Sequence, residues 1–174
     1  MSLRARLKSA LWMIPLAILA ILFLPTPYMA GVMAVVVLGG LYEWAGLSGL
    51  AGHTGKLLYV LVNALVIAGL AWSDTPDNTG LKFAVLIGAL FCVVCLVWLR
   101  HFNFAREPNG RNRSIKLLAG SLSCIPAWAA LLLLHGGDEG PVWTLFAIGM
   151  IAASDSGAYL FGVNFGKHKL APNI

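Results

Sequence analysis

Residues 81–99 read LKFAVLIGALFCVVCLVWL, an apolar run with one charged residue, Lys82. A helix needs roughly 20 such residues to cross the hydrocarbon core of a bilayer, so this run has the length of a membrane span. The whole chain has the same character: it is 59% hydrophobic and 11% charged, with a mean hydropathy of +0.83. About a quarter of the residues in soluble domains are charged, and this composition therefore excludes an ordinary water-soluble globule.

Five other segments have the same apolar character, and Gly, Pro, Asn and charged residues fill the connections between them. The six segments cover approximately residues 10–24, 28–47, 57–73, 81–99, 116–135 and 142–163. Because unpaired backbone groups cannot face lipid, each segment is predicted to be a helix. The sequence thus predicts an all-α, polytopic membrane protein with about six transmembrane helices, organised as one unit over residues 1–174.

The positions of the charged residues indicate the orientation in the membrane. Of the 12 lysines and arginines, all but Lys82 fall on one side of the predicted spans: Arg4, Arg6, Lys8, Lys56, Arg100, Arg106, Arg111, Arg113, Lys116, Lys167 and Lys169. The opposite connections carry Asp74, Asp77, Asp138 and Glu139. Basic residues in short loops favour the cytoplasm, so both chain ends are predicted to be cytoplasmic. This topology also explains the net charge of +5, and no basic and aromatic soluble face indicates nucleic-acid binding.

Two carboxylates lie inside the apolar segments, Glu43 and Asp155. An ionised acid is costly in hydrocarbon, so it should face the helix bundle, a cavity or a partner. Asp155 lies roughly 20 Å along its helix from Val142, with Ser156 beside it and Tyr159 one turn further on. These residues predict a protein-lined cleft open to the cytoplasm, although a hydrogen-bonded acid without chemistry is the alternative. For Glu43 a structural and a functional role are equally open.

Small residues and a basic cluster accompany Asp155. The small residues recur every four positions, a pattern that allows close helix packing: Ser154, Ala158, Gly162 and Gly166. The basic cluster follows the predicted span, at the mouth of the proposed cleft: Lys167, His168 and Lys169. Such a cluster is suited to attract a phosphate-bearing ligand, and its alternative role is to set topology.

Two stretches carry a resemblance to a known family. They are SDSGAYLFGVNFGKHKLAPNI at 154–174 and YEWAGLSG at 42–49. Together they closely resemble the bacterial phosphatidate cytidylyltransferases, or CDP-diacylglycerol synthases, in which D-S-G-A-Y leads into F-G-K-H-K-L-A-P and then an S-P-x-K-T-x-E-G-like stretch. The match of the tail is long and specific, that at 42–49 is supportive, and the rest is similar mainly in hydropathy.

The resemblance implies an activity and roles for the site residues. The reaction would convert CTP and phosphatidate to CDP-diacylglycerol and pyrophosphate, with Mg²⁺ as cofactor. Asp155 and Ser156 would be catalytic residues lining the polar cleft, and Asp155 would also be a magnesium ligand. Residues implied to bind the substrates are Tyr159, Lys167, His168 and Lys169.

The resemblance also implies a setting for this chain. The family's proteins continue beyond the point that matches Ile174, so we expect an N-terminal fragment that is inactive alone, with further metal ligands beyond it. The expected location is the bacterial inner membrane, and a homodimer is left open. The rival hypothesis is a transporter or channel subunit with Asp155 as an ion or proton site, although the two halves show no inverted repeat.

Overall fold

The computed structural model describes residues 3–73, 77–101 and 103–166, and these residues form six α-helices. The helices are α1 (Leu3–Phe23), α2 (Thr26–Leu47), α3 (His53–Trp72), α4 (Thr79–Arg100), α5 (Gly110–His135) and α6 (Gly140–Phe165). The described part of the chain contains no strand. The prediction of an all-α fold with about six helices is therefore confirmed.

Five of the helices, α2 to α6, are long and apolar enough to cross a membrane. Helix α1 has a shorter apolar section, Leu11–Phe23, because its first turns contain Arg4, Arg6 and Lys8. The chain is a multi-pass membrane protein. Its sidedness, with both ends in the cytoplasm, stays a prediction.

The chain divides into two compact units, which are described separately. Unit 1 contains α1 and α6, which pack against each other, and unit 2 contains α2 to α5. In unit 2, α5 packs against both α4 and α2, and α2 packs against α3. The organisation of residues 1–174 as one transmembrane unit stays a prediction.

Helix α5 forms the centre of unit 2. Trp128 and Ala129 on α5 are fully or almost fully buried, as are Leu41 and Ala45 on α2. The indole Nε1 of Trp128 donates a hydrogen bond to the backbone carbonyl of Ala30, at 3.0 Å. Helix association in a bilayer depends on such packing and hydrogen bonding, because lipid removes most of the hydrophobic driving force between helices.

A short turn joins α2 to α3 and brings polar side chains at the end of α2 close to those at the start of α3. Gly49 and Gly52 have φ angles of 85° and 87°, a region that glycine enters without steric cost. Beyond the turn, the His53 ring lies 2.8 Å from the Tyr42 hydroxyl, measured from Nδ1, and Lys56 Nζ lies 5.3 Å from the Tyr42 ring centre. The YEWAGLSG stretch thus ends a helix and reverses the chain.

Gly88 permits the close contact between α4 and α5. A Cβ atom at Gly88 would overlap the ring of Pro126 on α5, and a proline ring cannot rotate away. We expect Gly88→Ala to destabilise the protein by about 1–3 kcal/mol, the usual range for overpacking. Gly39→Ala is the matched control, since a Cβ there meets nothing within 4 Å and alanine favours helix by up to about 1 kcal/mol. Unfolding midpoints in detergent should fall for Gly88→Ala alone; equal midpoints would contradict this packing.

Candidate functional site

Helix α6 carries three of the predicted site residues, Asp155, Ser156 and Tyr159. All three side chains are exposed, and Tyr159 is 70% exposed. A separation of four residues places Asp155 and Tyr159 on the same face of the helix. Asp155 forms no hydrogen bond or ion pair with any described residue. Its carboxylate is therefore accessible and has all its acceptor capacity free within the described part of the chain.

The three basic residues of the predicted site lie outside the described residues. They are Lys167, His168 and Lys169. Helix α6 ends at Phe165, and the backbone N–H of Gly166 donates to the carbonyl of Gly162 at 3.1 Å. The role of the basic cluster in binding phosphate stays a prediction.

The small-residue face of α6 contacts no other helix at Gly162. A Cβ atom at Gly162 would meet nothing within 4 Å, and the same holds at Gly157. The close helix packing that the small-residue pattern allows is thus not formed at Gly162 among the described residues. The predicted cleft around Asp155 stays a prediction.

The described residues do not by themselves fit a magnesium site. Among them, no three His, Cys, Asp or Glu residues cluster in a way that could hold a metal ion. Mg²⁺ prefers an octahedron of oxygen ligands, and Asp155 supplies one carboxylate. Ligation of Mg²⁺ by Asp155 stays a prediction.

Glu43, the other carboxylate in an apolar segment, is exposed on α2 in unit 2. Lys56, a basic residue in the first turn of the next helix, lies over the ring of Tyr42. No described residue forms an ion pair or hydrogen bond with Glu43. The structure thus gives Glu43 no structural partner in the described part of the chain.

Two polar connections in unit 2 were not anticipated from the sequence. The Tyr59 hydroxyl donates to the Leu117 carbonyl at 2.9 Å and lies 3.0 Å from Ser121 Oγ, which joins α3 to α5. Buried His135 lies 3.0 Å from Thr26 Oγ1, measured from Nδ1, which joins the end of α5 to the start of α2. The sequence shows these polar residues inside apolar segments, but it does not indicate their hydrogen-bond partners, because the partners are distant in sequence.

Comparisons of the sequence with known proteins identify its family. The model of the cytidylyltransferase family matches residues 4–174. A phosphatidate cytidylyltransferase of Pseudomonas aeruginosa is 28% identical over 172 residues, covering 99% of this chain and 62% of the relative. A phosphatidate cytidylyltransferase of Haemophilus influenzae is 28% identical over 188 residues, covering 99% of this chain and 64% of the relative. No solved structure matches significantly.

The chain thus spans somewhat less than two thirds of the length of these two relatives. Both are named for the activity of the family that the stretches at 42–49 and 154–174 resemble, and the resemblance is confirmed. Because the family model covers almost every residue, one assignment follows: the chain belongs to the cytidylyltransferase family.

Proposed function

We propose that the protein is a phosphatidate cytidylyltransferase, which converts CTP and phosphatidate to CDP-diacylglycerol and pyrophosphate. The observation that carries the proposal is the family match over residues 4–174. In the reaction, a phosphate oxygen of phosphatidate attacks the α-phosphorus of CTP. The bond from that phosphorus to the oxygen bridging to the β-phosphate breaks, and pyrophosphate leaves.

A multi-pass membrane protein suits this pair of substrates. Phosphatidate is held in the leaflet by its acyl chains, whereas CTP is soluble, so the reaction requires a polar group at the boundary between lipid and water. Asp155 has the required character, since it is an exposed carboxylate on an apolar helix. The proposed location is the inner membrane of a bacterium, and a homodimer is left open.

The proposed roles divide between two groups of residues. Asp155 and Ser156 would act at the reacting phosphates, and Tyr159 would contact substrate from the same face of α6. The basic cluster Lys167, His168 and Lys169 would attract the negatively charged substrates. Mg²⁺ is part of the proposal: when bound, it would neutralise charge on the leaving pyrophosphate, with Asp155 as one ligand.

The proposed reaction predicts CTP-dependent product formation. A full-length protein that contains this sequence, reconstituted in vesicles containing phosphatidate, should convert radiolabelled CTP to lipid-bound CMP and release one pyrophosphate for each product molecule. Chelation of divalent cations should abolish the product. The transporter alternative predicts ion-driven uptake into the vesicles without nucleotide, and such uptake from a folded protein that forms no CDP-diacylglycerol would overturn the proposal.

A further inference from the structure

Unit 2 contains a cavity of about 710 Å³ at the end where α2 stops and α5 begins. Its walls come from α2, α4, the first half of α5 and the connection between α4 and α5. The large apolar side chains lining it include Trp44, Phe91, Trp98, Leu99 and Phe104. Its volume falls within the range of roughly 300–1,000 Å³ that is usual for small-molecule sites.

Hydrogen bonds and close packing hold the walls of this cavity. Trp44 Nε1 donates to the Lys116 carbonyl at 2.8 Å, and the Trp44 indole fills the space that a Cβ at Gly120 would need. On the other side, Trp98 Nε1 donates to the Phe104 carbonyl at 3.2 Å, and the two rings meet edge to face. The aromatic walls are therefore fixed by backbone hydrogen bonds.

A smaller, more polar cavity of about 230 Å³ adjoins the first. Leu47, Ser48 and Lys116 line both cavities. The small cavity is also lined by Arg113 and Glu107, and the large one by Arg106. The large apolar chamber thus adjoins a polar one, and three cations and one carboxylate line the two chambers taken together.

Polar groups at the junction have unused binding capacity. Ser48 is 5% exposed, and its buried Oγ has no hydrogen-bond partner among the described residues. Lys116 is partly buried, and its ammonium forms no ion pair or hydrogen bond in the described part of the chain. A buried hydroxyl without a partner costs about 1–3 kcal/mol, and a bound acceptor would remove that cost.

We propose that these adjoining cavities bind one anionic phospholipid, with an acyl chain in the apolar chamber and the phosphate near Arg106, Lys116 and Ser48. Charge complementarity selects this occupant: an uncharged lipid would leave the cations unused, and a soluble phosphate would leave about 710 Å³ of mainly apolar space unfilled. Basic pockets between membrane helices commonly bind anionic headgroups. The site lies wholly in unit 2, and its occupation requires neither Asp155 nor the proposed reaction.

Photolabelling without CTP tests the site separately from catalysis. The protein is reconstituted with phosphatidylglycerol, phosphatidate or phosphatidylcholine probes that carry the same diazirine acyl chain, and adducts are mapped by mass spectrometry. We expect both anionic probes to label Phe91, Cys95 or Cys124 at least about five-fold more than the phosphatidylcholine probe, the factor expected from one nearby cation. Equal labelling by all three probes, or no adduct at these residues, would overturn the proposal.

Matched variants separate a built site from general surface charge. Arg106→Gln combined with Lys116→Gln should lower anionic labelling by about five-fold or more. Arg111→Gln removes a charge from the same end of α5 but lines neither cavity, and it should leave labelling unchanged. An equal loss of labelling in Arg111→Gln would show that surface charge alone attracts the lipid, and would contradict the proposal.

A second variant tests the apolar chamber with all charges in place. Ser123 is exposed and lines the large cavity, so Ser123→Phe should narrow the chamber and lower labelling while the unfolding midpoint stays near that of the parent. Unchanged labelling in that folded variant contradicts the proposal. Excess inorganic phosphate should not compete with the phosphatidylglycerol probe; competition would show that the cations bind free phosphate equally well, and would contradict a site that selects a lipid.

Discussion

Asp155→Asn is expected to lower the rate of CDP-diacylglycerol formation by roughly 100-fold, the lower end of the loss seen when one electrostatic catalytic group is removed. The amide keeps the shape of the side chain but removes the charge that would hold a cation or orient the nucleotide. Asp155 is exposed and bonds to no described residue, so the change should leave the fold intact. Steady-state kinetics of the reconstituted protein, with CTP and phosphatidate varied in turn, gives the loss.

Two comparisons separate a catalytic role for Asp155 from a structural one. Asp138→Asn makes the same chemical change in the connection before α6, outside the proposed site, and should retain full activity. The unfolding midpoint of Asp155→Asn should equal that of the parent. A lower midpoint together with the lower rate indicates a structural carboxylate, and normal turnover removes Asp155 from the site altogether.

The sequence predicts the helices well because apolar length is a direct physical requirement of the bilayer. It predicts their ends less well, since hydropathy indicates which residues lie in the hydrocarbon, whereas a helix can extend beyond it. Helix α5 begins at Gly110 and not near residue 116, because the Asn109 side chain caps it by accepting a hydrogen bond from the Asn112 N–H at 2.8 Å. Helix α1 likewise begins at Leu3, ahead of the apolar section.

The site is predictable only where local geometry determines it. The shared face of Asp155 and Tyr159 follows from helical spacing alone. The cavities of unit 2 do not, because Trp44 and Lys116 are far apart in sequence and meet only through the packing of α2 on α5. In the sequence, Arg106 and Lys116 were explained sufficiently as determinants of topology, and nothing indicated that they line one cavity.

Trp128→Ala is expected to destabilise the protein by about 3 kcal/mol, the low end for truncating a buried tryptophan. Trp128 is 1% exposed and sits where α5 packs on α2, and its indole donates to the Ala30 carbonyl. The variant therefore loses both the packing of a large ring and one hydrogen bond. The low end applies because the indole of the unfolded chain stays in an apolar medium in a bilayer or micelle. Chemical or thermal unfolding in one detergent gives the difference.

Trp72→Ala is the matched control for the buried tryptophan, because Trp72 ends α3 in the same unit and is 93% exposed. Truncation of an exposed side chain usually changes stability by less than about 0.5 kcal/mol. Trp128→Phe then separates the two losses, since phenylalanine keeps most of the packing but not the hydrogen bond, which is worth about 0.5–1.5 kcal/mol. If Trp128→Ala and Trp72→Ala unfold at the same midpoint, the buried Trp128 does not stabilise the contact between α2 and α5, and the prediction is wrong.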